Sequence, residues 1–273
     1  MESQRSGLIP WIVFFVVSSG GSAWAQTAED CLLEPSAELR LAVRTPGVVA
    51  SVHAARGDAV GAGDVLLTQV DDVERARLNV ARGRAEDRAT LDGIVARLDV
   101  ARAQRDRISA LAEGDLVTQE RLDAAEQDVL SLLQERAAAE STLRSAALEA
   151  EAARAALDQL VLRAPQAGVV TERGLDPGEF ADQQSPAFTV VTLDPLHVQA
   201  WIPARYWGSV ARGDAAQLSV PDRGDGRLKA DVIAVDPILE TVSETFRVTL
   251  ALPNPDSRLP AGLPCTLYLP IGG

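Results

Sequence analysis

Small and apolar residues recur at every third and fourth position from Leu122 to Leu160 without a slip. The stripe runs Leu122, Ala125, Val129, Leu132, Arg136, Ala139, Leu143, Ala146, Ala150, Ala153, Leu157, Leu160, with Arg136 its one charged member. A 3.5-residue repeat keeps one side of a helix against a partner through a left-handed supercoil, and the many alanines predict close approach of the two backbones. Upstream, Leu91, Ile94, Leu98, Ala101, Arg105 and Ile108 keep the same spacing less tidily. Gly83 and Gly93 weaken that half, by up to about 1 kcal/mol each relative to alanine. No proline falls between Asp72 and Pro165. Within ALAEGDLVTQERLD, Gly114 suits a helix C-cap, and Thr118 ahead of Glu120 and Arg121 suits the next helix start. Two helices of about 40 residues joined by so short a turn fold back antiparallel, as an αα-hairpin reaching roughly 60 Å. Burial inside a bundle would need further helices to cover the pair, and the rest of the chain offers none.

The flanking segments read as strands. LAVRTPGVVASVHAARGDAV and LVLRAPQAGVVTERGLDPGEF share Arg-x-Pro, then Gly-Val-Val, then a glycine before an acidic residue. In both, ten residues separate the first glycine from the second, Gly47 to Gly57 and Gly168 to Gly178. The second glycine suits a turn of positive φ. Neither half-module could bury a core alone, so the repeat predicts two pieces packed face to face as one pseudo-symmetric sandwich. The helical hairpin is then an insertion between them, and closing such a loop costs little extra as it lengthens. From Asp194 the pattern continues as strand, short helix, a Gly-Asp turn and further strands, with turn residues at Asn254-Pro255-Asp256 and Ala261-Gly262.

The first 25 residues stand apart. Arg5, the apolar run LIPWIVFFVV and Ala23-Trp24-Ala25 have the order of a cleaved secretory signal, and the run is shorter than the ~20 residues of a membrane span. Cys31 follows TAED rather than a lipobox. The net charge of −13 gives no electrostatic footprint for nucleic acid or anionic lipid. Export places Cys31 and Cys265, near the two ends of the mature chain, in an oxidising compartment. They are expected to pair and staple the termini; two separate buried thiols are the alternative. The two histidines, His53 and His197, lie in different strand-rich segments without a nucleophile or carboxylate at motif spacing. A P-loop, a nucleophile elbow and an H-E-x-x-H helix are all missing, so the reading is not an enzyme. The only methionine is Met1, which argues against soft-metal capture, and no cofactor or metal is expected.

Half-sandwich, hairpin, half-sandwich and barrel, in that order, resemble the periplasmic adaptor subunits of tripartite efflux pumps, the HlyD-type membrane fusion proteins of the resistance-nodulation-division class. The sandwich is similar to lipoyl and biotinyl carrier domains, but the only lysine is Lys229, downstream of both halves, so no cofactor arm can be attached at the carrier position. The fold class expected is mainly β with a long α-helical coiled-coil hairpin: a split lipoyl-like β-sandwich plus a β-barrel, elongated. The divisions expected are a signal peptide over 1–25, an N-terminal segment and first strand over 26–43, the split domain over 44–71 and 161–194, the hairpin over 72–160, and the barrel over 195–273. Many adaptors of this class continue into a membrane-proximal domain built from both chain ends, and this sequence is expected to lack one.

The resemblance implies an inner-membrane transporter, an outer-membrane channel and further copies of the chain as partners, in a ring expected to be a hexamer, with no nucleic acid. It implies a periplasmic location, held at the inner membrane through the transporter. Adaptors that engage the channel carry an Arg, a Leu four residues on, and a Ser seven residues beyond, astride the hairpin turn. Arg107, Leu111 and Thr118 have that spacing, with threonine in place of serine. Arginine offers directed donors, leucine inserts in a groove and the hydroxyl caps or contacts. The alternatives are an adaptor of an ABC exporter and a structural coiled-coil protein without transport.

Overall fold

The computed structural model describes residues 26–113, 116–221 and 226–270. The expected signal segment and the Gly114 cap lie outside them. The chain divides into two compact units, one of Pro35–Asp194 and one joining the stretch up to Glu34 with Pro195 onward.

In the Pro35–Asp194 unit the strands are β2 (Gly47–Val52), β3 (Ala59–Val60), β4 (Val65–Gln69), β5 (Val161–Arg163), β6 (Gly168–Arg173) and β7 (Phe180–Ala181). β1 (Gln26–Leu41) ends in this unit, and β8 (Phe188–Pro203) begins in it. The sheet order is β5-β4-β2-β7, while β3 pairs β6 and β6 pairs β8.

The two sequence repeats interlock rather than merely stack. β2 of the first repeat pairs with β7 of the second, Gly47 opposite Ala181, while β6 of the second pairs with β3 of the first, Val169 opposite Ala59. The exchange repeats down to single bonds. Gly57 N–H donates to the Val170 carbonyl (2.8 Å) and Val170 N–H to the Asp58 carbonyl (2.9 Å). At the equivalent place Gly178 N–H donates to the Val49 carbonyl (2.8 Å) and Val49 N–H to that of Glu179 (2.9 Å). Gly57 and Gly178 hold φ of 94° and 91°, as the glycine-acid pairs predict. Val49, Leu66, Leu67, Val170, Phe188 and Val190, all buried, join both halves in one core.

Gly168 has a different constraint: a Cβ there would meet the Val191 carbonyl oxygen at 2.5 Å and Val190 Cγ1 at 2.8 Å. Because the first obstacle is backbone, Gly168→Ala should destabilise this unit by about 1–3 kcal/mol. Denaturant unfolding checks this, with a midpoint equal to wild type as the contrary result.

The loop after β7 carries a charge-dependent turn. The Asp182 carboxylate accepts from Ser185 N–H (2.7 Å) and Gln184 N–H (2.9 Å), which holds its pKa below the ordinary aspartate value. A carboxyl depressed in the folded state adds stability above its unfolded pKa, and loses it as pH falls through the folded one. Asp182→Ala should therefore lower the melting temperature at pH 7, and the gap to wild type should close on acidification below about pH 3.9.

Between β4 and β5 the chain forms α1 (Asp72–Glu86), α2 (Ala89–Ala112) and α3 (Gln119–Asp158). Both ends of this insertion meet at the sheet, where Gln69 N–H donates to the Leu160 carbonyl (2.9 Å) and Thr68 pairs with Val161. Every position of the Leu122–Leu160 stripe is buried or half-buried, as are Leu91, Ile94, Leu98, Ala101, Arg105 and Ile108. α3 packs on both α1 and α2, and Arg97 to Glu135 (3.0 Å) ties α2 to α3. At 40 residues α3 spans about 60 Å.

The outgoing limb is not the single long helix expected. It breaks at Asp87–Arg88, where Asp87 is extended (φ −74°, ψ 101°). The reason lies in the register. Leu78, Ala81 and Ala85 face inward, but the next inward residue is Leu91, six positions on instead of seven. An unbroken helix would turn Leu91 about 100° away from the seam. The break resets the phase.

In the other unit the sheet order is β1-β12-β9-β10-β11-β8; β1 also pairs with β8. Its remaining strands are β9 (Ala215–Ser219), β10 (Leu228–Glu240), β11 (Thr245–Leu252) and β12 (Pro264–Pro270). Inward residues alternate along the strands: Leu196, Val198, Ala200 and Ile202 on β8, then Phe246, Val248, Leu250 and Leu252 on β11, all buried. The start of β1 lies antiparallel to β12 in this sheet, so the N-terminal segment supplies a barrel strand rather than standing apart. Asn254, buried, ties its loop by accepting from Leu259 N–H and donating to the Leu259 carbonyl, both at 2.9 Å.

Candidate functional site

The hairpin tip is formed by the end of α2 and the start of α3. Arg107 and Leu111 are one turn apart on α2 and share a face, both exposed. Arg107 Nη2 donates to Gln104 Oε1 (2.7 Å), a neutral partner on its own helix. Thr118 is the N-cap residue of α3, in extended conformation, and its hydroxyl makes no capping bond. Its carbonyl accepts from Arg121 N–H (3.1 Å). Leu116 N–H donates to the Leu111 carbonyl (3.1 Å), drawing the chain round so that Leu111 and Leu116 lie at the same end. They are 43 % and 73 % exposed. Leu116 escaped the sequence reading because it belongs to no heptad stripe; exposure alone marks it out. Among the described residues the tip thus offers Arg107, two bare leucines and a Thr118 hydroxyl that makes no capping bond.

Cys31 and Cys265 sit directly opposite each other on β1 and β12, buried, and are joined by a disulfide with Cα atoms 4.8 Å apart. The bridge ties residues 234 positions apart and fastens the N-terminal strand into the barrel.

His53 and His197 fall in different units. His53 Nε2 lies 2.9 Å from Ser51 Oγ, which also bonds Thr68 Oγ1 (2.6 Å). Among the described residues no carboxylate hydrogen-bonds His53, so nothing there orients the imidazole as a base. No group of three or more His, Cys, Asp or Glu side chains is placed to hold a metal ion, among the described residues. Nor is any described helix long and apolar enough to cross a membrane.

A sandwich assembled from two distant half-repeats, a paired-helix insertion and a closed β-barrel together make the membrane-fusion-protein fold. Residues 195–270 match the family of CusB-like β-barrel domains. The MacA crystal structure from Actinobacillus actinomycetemcomitans superposes with TM-score 0.73 at 17% identity, covering 89% of this chain and 78% of that one. The membrane fusion protein Spr0693 from Streptococcus pneumoniae gives 0.61 at 12% identity, over 89% and 98% of the two chains. In sequence, a UPF0194 membrane protein of Acidithiobacillus ferridurans is 31% identical over 121 residues, 40% of this chain and 36% of its own length. Nodulation protein NolF of Rhizobium meliloti is 26% identical over 232 residues, 85% of this chain and 59% of its own length. The matches therefore span little more than a third of the UPF0194 relatives, and under two thirds of NolF.

Proposed function

We propose that this chain is a periplasmic adaptor linking an inner-membrane transporter of the resistance-nodulation-division type to an outer-membrane channel, for export of small molecules. The observation that carries this reading is the pairing of a rigid two-stranded helical arm with a tip that exposes Arg107, Leu111 and Thr118. A rigid arm of about 60 Å bridges a gap that a loop would leave undefined. The CusB-like barrel favours a transporter of that type over an ABC exporter, and the disulfide suits an oxidising compartment.

Copies assemble side by side through their hairpins, in a ring of six as the resemblance implies. α1 carries a second apolar stripe away from α3, with Val73, Ala76 and Val80 flanked by Arg77 and Arg84. α3 exposes Leu148 beside Glu149 and Glu151, a surface of opposite charge. Such a head-to-tail contact between different faces forms a ring when its rotation closes. The mechanism is mechanical: the barrel follows the transporter's cycle, and the tube of hairpins holds the channel end to end.

Affinity isolation from chemically cross-linked cell envelopes tests the reading. The wild-type chain should bring down both a polytopic inner-membrane transporter and an outer-membrane channel, identified by mass spectrometry. Recovery of neither, or unchanged tolerance of a deletion strain to a broad compound panel, contradicts it.

A further inference from the structure

The far end of the β10–β11 hairpin departs furthest from a regular ladder. Along β11 the pairing with β10 slips first between Val232 and Ala234, by one residue, and more widely after Val235 opposite Val248; the next pair is Leu239 opposite Phe246, so Asp236, Pro237 and Ile238 face a single residue, Arg247. A bulge of this kind bends the strand and re-aims its side chains. Ile238 and Val242 emerge 77 % and 95 % exposed, with Leu239 beside them. Glu244 closes the turn at φ 51°, a left-handed conformation unfavourable for a residue with a side chain. Its carbonyl accepts from Ala204 N–H (2.8 Å), which fixes the base of the tip. Half-exposed Trp201 stands alongside, and a cleft of about 360 Å³ lies between it and the tip. Three large aliphatics at one turn, next to an indole, are more than scattered surface apolarity.

Charge decides what fits. Arg247 is already paired with Asp236 (2.8 Å), so Glu240 and Glu244 leave the tip net acidic. An anionic bilayer would be repelled by these groups and by the overall charge of −13. A second copy meeting tip to tip would set acid against acid. Strand addition is blocked too, because Pro237 lacks an N–H on the stretch of β10 that runs past its pairing with β9. Contact must come through side chains entering a pocket.

We infer that Ile238, Leu239 and Val242, bordered by Glu240 and Glu244, dock into an apolar pocket rimmed by lysine or arginine on the periplasmic face of a membrane transporter. The inference rests on the adaptor reading and names the surface by which the barrel takes hold. Its test places a photo-cross-linking benzoylphenylalanine at Val242, and separately at Leu111, in the full chain in its own cells, with adducts identified by mass spectrometry. An adduct from position 242 to a polytopic inner-membrane transport protein is expected. It should fall at least tenfold in a Glu240→Lys, Glu244→Lys background, while the circular dichroism spectrum stays unchanged. An adduct from 242 to lipid or to another copy of the chain overturns the inference, as does sedimentation of the purified chain with phosphatidylethanolamine–phosphatidylglycerol vesicles. If 242 gives nothing while 111 gives a channel adduct, the inference alone fails. Silence at both positions overturns the adaptor reading with it.

Discussion

Replacing Arg107 and Leu111 together with alanine is expected to abolish the proposed export while leaving the folded chain intact. Both side chains are exposed, so truncating them removes little that is buried, and stability should move by no more than about 0.5 kcal/mol. Docking is another matter. Arginine is among the residues that dominate interfaces, at about 2 kcal/mol or more when central, roughly 30-fold in affinity, and a leucine seated in a groove adds the burial of its side chain. In a ring every copy carries the same lesion, so the loss multiplies across tips that engage together. Compound accumulation in a deletion strain carrying the double variant should match the empty strain, although the protein is present at wild-type level with an unchanged melt. Cross-linked envelopes should still yield the transporter but not the channel. Normal export by the double variant would show that the channel is met elsewhere.

Removing the disulfide gives the largest expected stability loss. A cross-link between residues 234 positions apart restrains a very long loop, and the chain-entropy estimate for it is about 5 kcal/mol. Much of that should be lost in the barrel, because the bridge fastens the start of β1 to β12. Without it, that strand depends on seven register pairs, from Gln26 opposite Pro270 to Leu32 opposite Pro264. Cys31→Ala, Cys265→Ala should lower the denaturant midpoint sharply, and hydrogen exchange in β1 should rise before exchange in β10 or β11. Wild type under reductant should converge on the variant. A midpoint insensitive to both treatments would contradict the stapling role.

Legibility varied with how local the determining contacts are. The α3 stripe could be read in full because a 3.5-residue repeat is recorded position by position, and each of its residues turns inward. The break at Asp87–Arg88 was written in the same code, as the six-residue step from Ala85 to Leu91, but neither proline nor glycine marks the spot. The glycines that do fall in that limb, Gly83 and Gly93, sit inside helices. Face-to-face packing of the two half-repeats followed from their likeness. Their interlocking, with Gly57 bonded to Val170 and Gly178 to Val49, did not, since strand partnership depends on residues over a hundred positions away. The same holds for β1 in the barrel. At the candidate site, Arg107, Leu111 and Thr118 were singled out only through the family resemblance whose spacing they match, whereas the β10–β11 tip was hidden because its bulge destroys the alternation by which strands are recognised.

The claim on which the rest depends is that one β-module is built from two separated half-repeats, with the helical arm an insertion whose ends meet. Gln69 N–H lies 2.9 Å from the Leu160 carbonyl, so residues 71–159 can be replaced by two glycines without moving either strand. The thermal melt of that shortened chain, followed by far-ultraviolet circular dichroism, is the direct test. A β-type spectrum that melts cooperatively is the predicted result; a chain without a cooperative transition would contradict the account.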